Sequence, residues 1–204
     1  MGFLSSAVSM ARYKIDGKFE EQILEKVAEG LKKNVISEID GKQLDKTVGW
    51  TSFENPFKPD FTRSSFSIGA FLIFSMRIDK KTIPPKIIKK HMAVESAKLL
   101  AASGRKYFSK DEKTAIKDRV INALTVRIPA TPNLYEILWN YEDGKIWFFS
   151  SLKSANEEFE TLFARSFNLT PIRLFPYTMA ELTAGLTHAQ RDVLSNISST
   201  KFTK

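Results

Sequence analysis

The sequence contains no cysteine and only two histidines, His91 and His188. Without cysteine the chain can form no disulfide, zinc–thiolate site or iron–sulfur cluster, and it has no thiol nucleophile. With so few histidines, a catalytic metal site would have to be built almost wholly from carboxylates. We therefore expect no metal ion and no other cofactor, in a protein of a reducing compartment.

Long hydrophobic runs are also absent, since no stretch reaches the roughly 18 apolar residues that a membrane span requires. The first residues lack the cationic and apolar regions of a secretory signal. These absences predict a cytoplasmic protein without a membrane partner.

The short motifs of catalysis are missing as well. The chain contains no G-x-x-x-x-G-K-[ST], G-x-G-x-x-G, G-x-S-x-G or H-E-x-x-H sequence. Its acidic pairs, Asp111-Glu112 and Glu157-Glu158, fall in the first turns of predicted helices, where the helix dipole favours negative charge. The sequence therefore predicts a protein that is not an enzyme.

The chain has 204 residues, of which 43% are hydrophobic. This length and this apolar fraction are enough to form a sizeable hydrophobic core. Alternation of Val8, Met10, Tyr13 and Ile15 predicts a strand. Further spacing patterns predict a helix over Phe19 to Val35, a strand over Gly49 to Phe53, and one long buried strand over Ser67 to Ile83.

Two helices are predicted next. Pro84-Pro85 suits the first turn of a helix, and Ser103-Gly104 suits its end. Ser109 with Glu112 forms a capping box that begins the second helix. Both helices show an apolar face, formed by Ile88, Met92, Leu99, Ile116, Val120, Ala123 and Leu124.

The last part of the chain begins with a β-hairpin, Leu134 to Tyr141 and Lys145 to Ser151, joined across Glu142-Asp143-Gly144. A helix capped by Ser154 and Glu157, a strand over Thr170 to Tyr177, and a helical tail over Met179 to Ile197 are predicted to follow.

Together the elements predict an α+β fold, with mixed or antiparallel sheets and packed helices in β-α-β-β and β-β-α-β units. We expect a body formed by residues 1–78 and 129–204. Residues 79–128 are expected to form an inserted helical hairpin, here called the basic arm.

The net positive charge of the chain is confined to the basic arm. The arm holds 13 basic and five acidic residues, and its net charge equals the +8 of the whole chain. The rest of the chain is neutral. A localised positive surface favours a polyanionic partner, and its lysine-rich composition favours phosphate contacts without base reading. A solvated helix surface explains the same lysines about equally well.

Aromatic residues offer a second interpretation. Tyr135, Trp139, Tyr141, Trp147 and Phe149 lie on adjoining predicted strands and could form a stacking platform for single-stranded nucleic acid. The strands lack the Gly-aromatic pattern of RNA-binding sheets, so we favour buried core rings.

Several motifs resemble one known family. Ile83-Pro84-Pro85-Lys86-Ile87-Ile88-Lys89, the Lys110-Asp111-Glu112-Lys113 segment with Ile116-Lys117-Asp118 and Leu124, and the early Gly49-Trp50 resemble the bacterial recombination-associated protein RdgC. Trp139, Asp143-Gly144, Ser150-Ser151, Ala155, Glu158 and Leu162 are similar to that family's following strand, turn, strand and helix.

The resemblance implies a nucleoid-associated protein that binds duplex DNA without sequence choice, forms a ring-like homodimer around it and restrains recombinase filaments. Single-stranded DNA is a further partner to consider. The family continues for about a further third beyond this chain's end, so we expect a short form. Where the family tends to show Pro-Arg and then an aromatic residue, this chain reads Val126-Arg127-Ile128-Pro129.

The DNA-contact candidates are the basic side chains of the arm. Those carried over from the matching helical segment are Lys80, Lys81, Lys86, Lys89, Lys90, Lys110, Lys113 and Lys117. Those at the hairpin tip are Lys98, Arg105 and Lys106. Two other functions stay open: a protein-interaction module whose arm docks on an acidic partner, and a Mg²⁺-dependent exonuclease.

Overall fold

The computed structural model describes residues 2–17 and 22–198 of the chain. Its strands and helices, in chain order, are β1 (Ala11–Asp16), α1 (Ile23–Lys33), β2 (Lys46–Thr51), α2 (Arg63–Phe66), β3 (Ser67–Ile68), β4 (Phe71–Lys80), α3 (Pro85–Ser103), α4 (Lys110–Arg127), β5 (Thr131–Asn140), β6 (Lys145–Phe148), α5 (Lys153–Phe167), β7 (Thr170–Arg173), α6 (Pro176–Thr183) and α7 (His188–Ser195).

The strands form one sheet in the order β2-β4-β5-β6-β1-β7, with the short β3 paired to the start of β4. Each pair of neighbouring strands is antiparallel. The predicted α+β class is therefore confirmed, and its sheet is antiparallel. The predicted β-hairpin is confirmed as β5 and β6, with a turn that uses Gly144 at φ 62°.

An aromatic core fills one face of the sheet, under α1 and α5. Phe159 of α5 stacks on Phe148 of β6 at a centroid distance of 4.7 Å, and Phe163 meets Trp139 edge-on at 5.1 Å. Rings of this size dominate the burial energy of a small core. The interpretation of the hairpin aromatics as core residues thus holds for Trp139, and the half-buried Tyr135 and Tyr141 pack against the core. Phe149 is buried outside this core, against the ring of Phe3.

The Gly49-Trp50 pair has a packing role. A Cβ on Gly49 would lie 2.5 Å from the backbone Cα of Ile36, because residues 34–36 run beside β2 and bridge to Trp50. The Trp50 side chain is fully buried, and its indole N–H donates to Ser166 Oγ at 2.8 Å. Only glycine allows the chain to approach β2 this closely.

Several predicted boundaries were wrong. The run from Ser67 to Ile83 is a β3–β4 hairpin rather than one strand, because Gly69 takes a left-handed φ of 59° and reverses the chain. The strand predicted over Thr170 to Tyr177 ends at Arg173, since Pro176 begins α6. Ser154 does not cap α5, which begins at Lys153 with Leu152 at its N-cap, two residues before the predicted cap.

Other boundaries shifted less. Helix α1 ends at Lys33 rather than Val35, and the predicted start at Phe19 lies outside the described residues. The first strand begins at Ala11, so Val8 and Met10 precede it and are exposed. The helical tail is two helices, α6 and α7.

Candidate nucleic-acid interface

Helices α3 and α4 lie between β4 and β5 in the chain, and local signals fix their ends. Pro85 occupies the first position of α3, and Gly104 ends it with a left-handed φ of 67°. At the start of α4 the Ser109 hydroxyl accepts from the Glu112 N–H at 3.2 Å, and the Ser109 N–H donates to Glu112 Oε2 at 2.8 Å. The predicted boundaries and capping box are confirmed.

The two helices pack against each other through a small apolar cluster of their own, separate from the core under α1 and α5. Ile116, Val120 and Leu124 of α4 are buried in it. Among the residues packed against them are Ile88, Met92 and Leu99 of α3, as the spacing predicts. Ala123, which was predicted on this face, is exposed.

This packing leaves the arm's cations at the surface. Helix α3 has no buried residue. Ten of the eleven predicted contact residues are exposed: Lys80, Lys86, Lys89, Lys90, Lys98, Arg105, Lys106, Lys110, Lys113 and Lys117. Within the described chain, Arg105 alone among these ten pairs with a carboxylate, that of Glu112, at 2.8 Å. The other nine ammonium groups are therefore available to an external anion.

Helix geometry collects five of these lysines on one side of the arm. Because α3 and α4 contact each other across the short connection 104–109, they run antiparallel. Successive residues of a helix are rotated by about 100° around its axis. When two antiparallel helices meet through their apolar faces, lysines that are rotated in the same direction from those two faces lie on the same side of the pair. That side carries Lys86, Lys89, Lys110, Lys113 and Lys117. We call it the lysine side of the arm.

The length of the lysine side suits a row of phosphates. The 18 residues of α4 span about 27 Å. The lysines of α3 lie towards the root of the arm and those of α4 towards its tip, so positive charge extends along this length. Two exposed arginines of α4 were not among the predicted contacts: Arg119 falls on the opposite side, and Arg127 ends the helix.

Lys81 differs from the other predicted contacts because it is buried, with 6% of its surface exposed. Its ammonium donates to the carbonyl oxygens of Lys42 and Thr125, each at 2.8 Å. It thereby connects the end of α4 to the loop before β2. The structure thus places Lys81 as a link between the helices and the sheet, away from the surface where DNA could reach it.

We expect Lys81→Met to lower the free energy of unfolding by about 1–3 kcal/mol, because the buried carbonyl of Thr125 and the partly buried carbonyl of Lys42 lose their donor. Urea denaturation measures the loss.

The neighbouring Lys80→Met is the matched control, since Lys80 is exposed. It should leave stability unchanged. Equal effects of the two substitutions on stability would contradict the linking role of Lys81.

The capping box also predicts a pH dependence. The backbone N–H of Ser109, helped by its hydroxyl and by Arg105, holds the pKa of Glu112 below its usual value. A lowered pKa in the folded state means that ionised Glu112 stabilises the arm at neutral pH. This contribution is lost as the pH falls through the lowered pKa. We therefore expect Glu112→Gln to melt at a lower temperature than the unsubstituted protein at pH 7 and at the same temperature at strongly acid pH. A difference that does not depend on pH would contradict the stabilising role of ionised Glu112.

Within residues 2–17 and 22–198, no cluster of three or more histidine, aspartate or glutamate side chains is arranged to hold a metal ion. The same residues contain no helix that is long and apolar enough to cross a bilayer.

The fold and this surface define an α+β protein with two exposed, lysine-rich helices between neighbouring strands of its sheet. A family model described as "Putative exonuclease, RdgC" matches residues 9–188, which include the whole sheet and both arm helices. The chain therefore belongs to the RdgC family. Among curated proteins, none matches the chain significantly.

Proposed function

We propose that this chain is a non-enzymatic protein that binds duplex DNA without sequence preference through the lysine side of its arm. The observation that carries the proposal is the row of five exposed lysines, none paired with a carboxylate in the described structure. Family membership supports a role in DNA recombination.

The chemistry of the row supports backbone contact rather than base reading. Lysine presents a mobile point charge on a flexible stem, whereas recognition of base edges favours the planar fork of arginine or the amides of asparagine and glutamine. Contacts to phosphate position a protein on DNA but carry no sequence information. Binding of this kind would coat or encircle DNA at any sequence.

A second copy would extend the surface. Two arms in a homodimer would double the charge facing one duplex, which suits a protein that encircles DNA and limits the access of recombinases on the nucleoid. Light scattering of the purified protein, with and without DNA, measures whether the dimer forms.

A salt titration of binding to a random-sequence duplex, followed by fluorescence anisotropy, tests the proposed function. If about six phosphates are engaged, the logarithm of the affinity should fall against the logarithm of the salt concentration with a slope of roughly −5. A nearly flat slope would overturn the proposal, because phosphate neutralisation would then not drive binding.

The non-enzymatic part of the proposal has its own test. The purified protein is incubated with a linear duplex in Mg²⁺ and, in parallel, with a chelator. We expect the DNA to stay intact in both. A nuclease activity that requires Mg²⁺ and co-purifies with the folded protein would favour an exonuclease instead.

A further inference from the structure

The sheet has a second face, turned away from α1 and α5, which we call the outer sheet face. Alternation along the strands shows which side chains lie on it: Ile146 and Phe148 are buried in the core, whereas Trp147 between them is only half-buried. Strand register then places neighbouring side chains in two rows across β4, β5, β6 and β1. One row is Ile73, Leu138, Trp147 and Arg12, and the next is Phe71, Asn140, Lys145 and Lys14.

Two aromatic rings lie together on this face. Phe71 is 38% exposed, and its ring lies 6.5 Å from that of Trp147 at an interplanar angle of 45°. Adjacent strands are about 4.8 Å apart, so Trp147 lies directly beside Arg12 of β1. The outer sheet face thus offers flat apolar surfaces next to positive charge.

The cations on this face are mostly uncompensated. Lys145 pairs with Asp143 at 3.2 Å, but neither Arg12 nor Lys14 forms an ion pair within the described parts of the chain. Arg12 Nη2 contacts Met179 Sδ of α6 at 3.2 Å, which holds the guanidinium at the border of the face. A fixed arginine and a neighbouring lysine suit an anionic ligand rather than an apolar one.

We propose that the outer sheet face binds single-stranded nucleic acid, with unpaired bases stacked on Trp147 and Phe71 and backbone phosphates at Arg12 and Lys14. Stacking on aromatic side chains beside a positive track is how proteins hold single strands without reading their sequence. A duplex cannot use this face in the same way, because its bases are already stacked on one another. The site is separate from the arm and does not depend on the arm's function.

Tryptophan fluorescence provides a direct test. The chain has three tryptophans. Trp50 and Trp139 are 0% and 2% exposed, so a base that stacks on an indole from solvent can quench only Trp147. The probe is an oligothymidine, added to a protein whose Lys86, Lys89, Lys113 and Lys117 are replaced by alanine, so that the arm contributes little. We expect saturable quenching, which a duplex of equal length does not produce.

The substitution Trp147→Leu should abolish the quenching. Trp147→Leu with Phe71→Leu should weaken oligothymidine binding, measured by anisotropy, by about tenfold or more. Phe57→Leu removes another exposed ring, outside the two rows, and should change neither signal. Circular dichroism confirms that each variant is folded.

Other results would overturn the proposal. The proposal is wrong if oligothymidine does not quench the fluorescence of the arm variant, in which all residues of the sheet are unchanged. Quenching that persists in Trp147→Leu would also contradict the proposal, as would quenching by the duplex to the same extent. The arm lysines are already replaced in this experiment, so a negative result says nothing about duplex binding by the arm. Conversely, if the arm does not bind duplex DNA, the outer sheet face can still be tested in this way.

Discussion

Replacing Lys86, Lys89, Lys113 and Lys117 together by alanine should reduce the affinity for a random duplex by about a hundredfold or more at moderate salt. Each lysine that neutralises a phosphate releases about one counterion, so the loss of four contacts out of about six should reduce the salt slope from roughly −5 to roughly −2. Affinity and slope should fall together, because both come from the same contacts.

The four substitutions should leave the fold intact. All four side chains are exposed on α3 and α4, and none is paired with a carboxylate in the described structure. Alanine has the highest helix propensity, so the helices should persist. Fluorescence anisotropy measures binding over a range of salt concentrations, and circular dichroism monitors the helices.

A variant with the same loss of charge elsewhere is the control. Lys32, Lys33, Lys58 and Lys153 are exposed and lie outside the arm. Their replacement by alanine should change affinity only slightly. Equal losses in the two variants would mean that overall charge, rather than the arm, drives binding. If neither variant loses affinity, the DNA contacts lie elsewhere; binding to an acidic protein through the arm would then favour the interaction-module hypothesis.

The arm helices could be predicted because their signals are local. Pro85 and the Ser109–Glu112 box act within one turn of the chain, and Gly104 needs only its own backbone freedom. The exposure of the lysines follows from helical spacing, since the buried apolar positions of α4, Ile116, Val120 and Leu124, recur every four residues. Nothing distant in the sequence had to be known.

Lys81 and Trp147 show where such reasoning stops. Lys81 is one residue from the exposed Lys80, and only its distant partners, the carbonyls of Lys42 and Thr125, explain its burial. Trp139 and Trp147 are chemically identical, but strand register turns the first to the core and the second to the outer sheet face. Register depends on pairing between strands, which composition does not reveal.

A buried ion pair lies near the end of β4, where the arm begins. Arg77 Nε and Nη2 donate to the two carboxylate oxygens of Asp79 at 2.7 and 2.6 Å. The side chains are 5% and 1% exposed, and Arg77 also reaches Glu38 at 2.9 Å. Burial acts to lower the pKa of Arg77, but the hydrogen bonds and charge of Asp79, with Glu38, raise it above its usual value. Arg77 is therefore charged at any pH at which the protein is folded.

Asp79→Ala should consequently destabilise the protein by about 3–5 kcal/mol, because it leaves a buried guanidinium without its main partner. Urea denaturation measures the loss. Glu38→Ala removes the other carboxylate, which is 64% exposed, and should cost less than about 1 kcal/mol. The double variant Arg77→Met with Asp79→Ala should recover part of the stability, since no charge is then left buried. If Asp79→Ala costs no more than Glu38→Ala, the buried pair does not hold this end of β4, and the root of the arm must be fixed by other contacts.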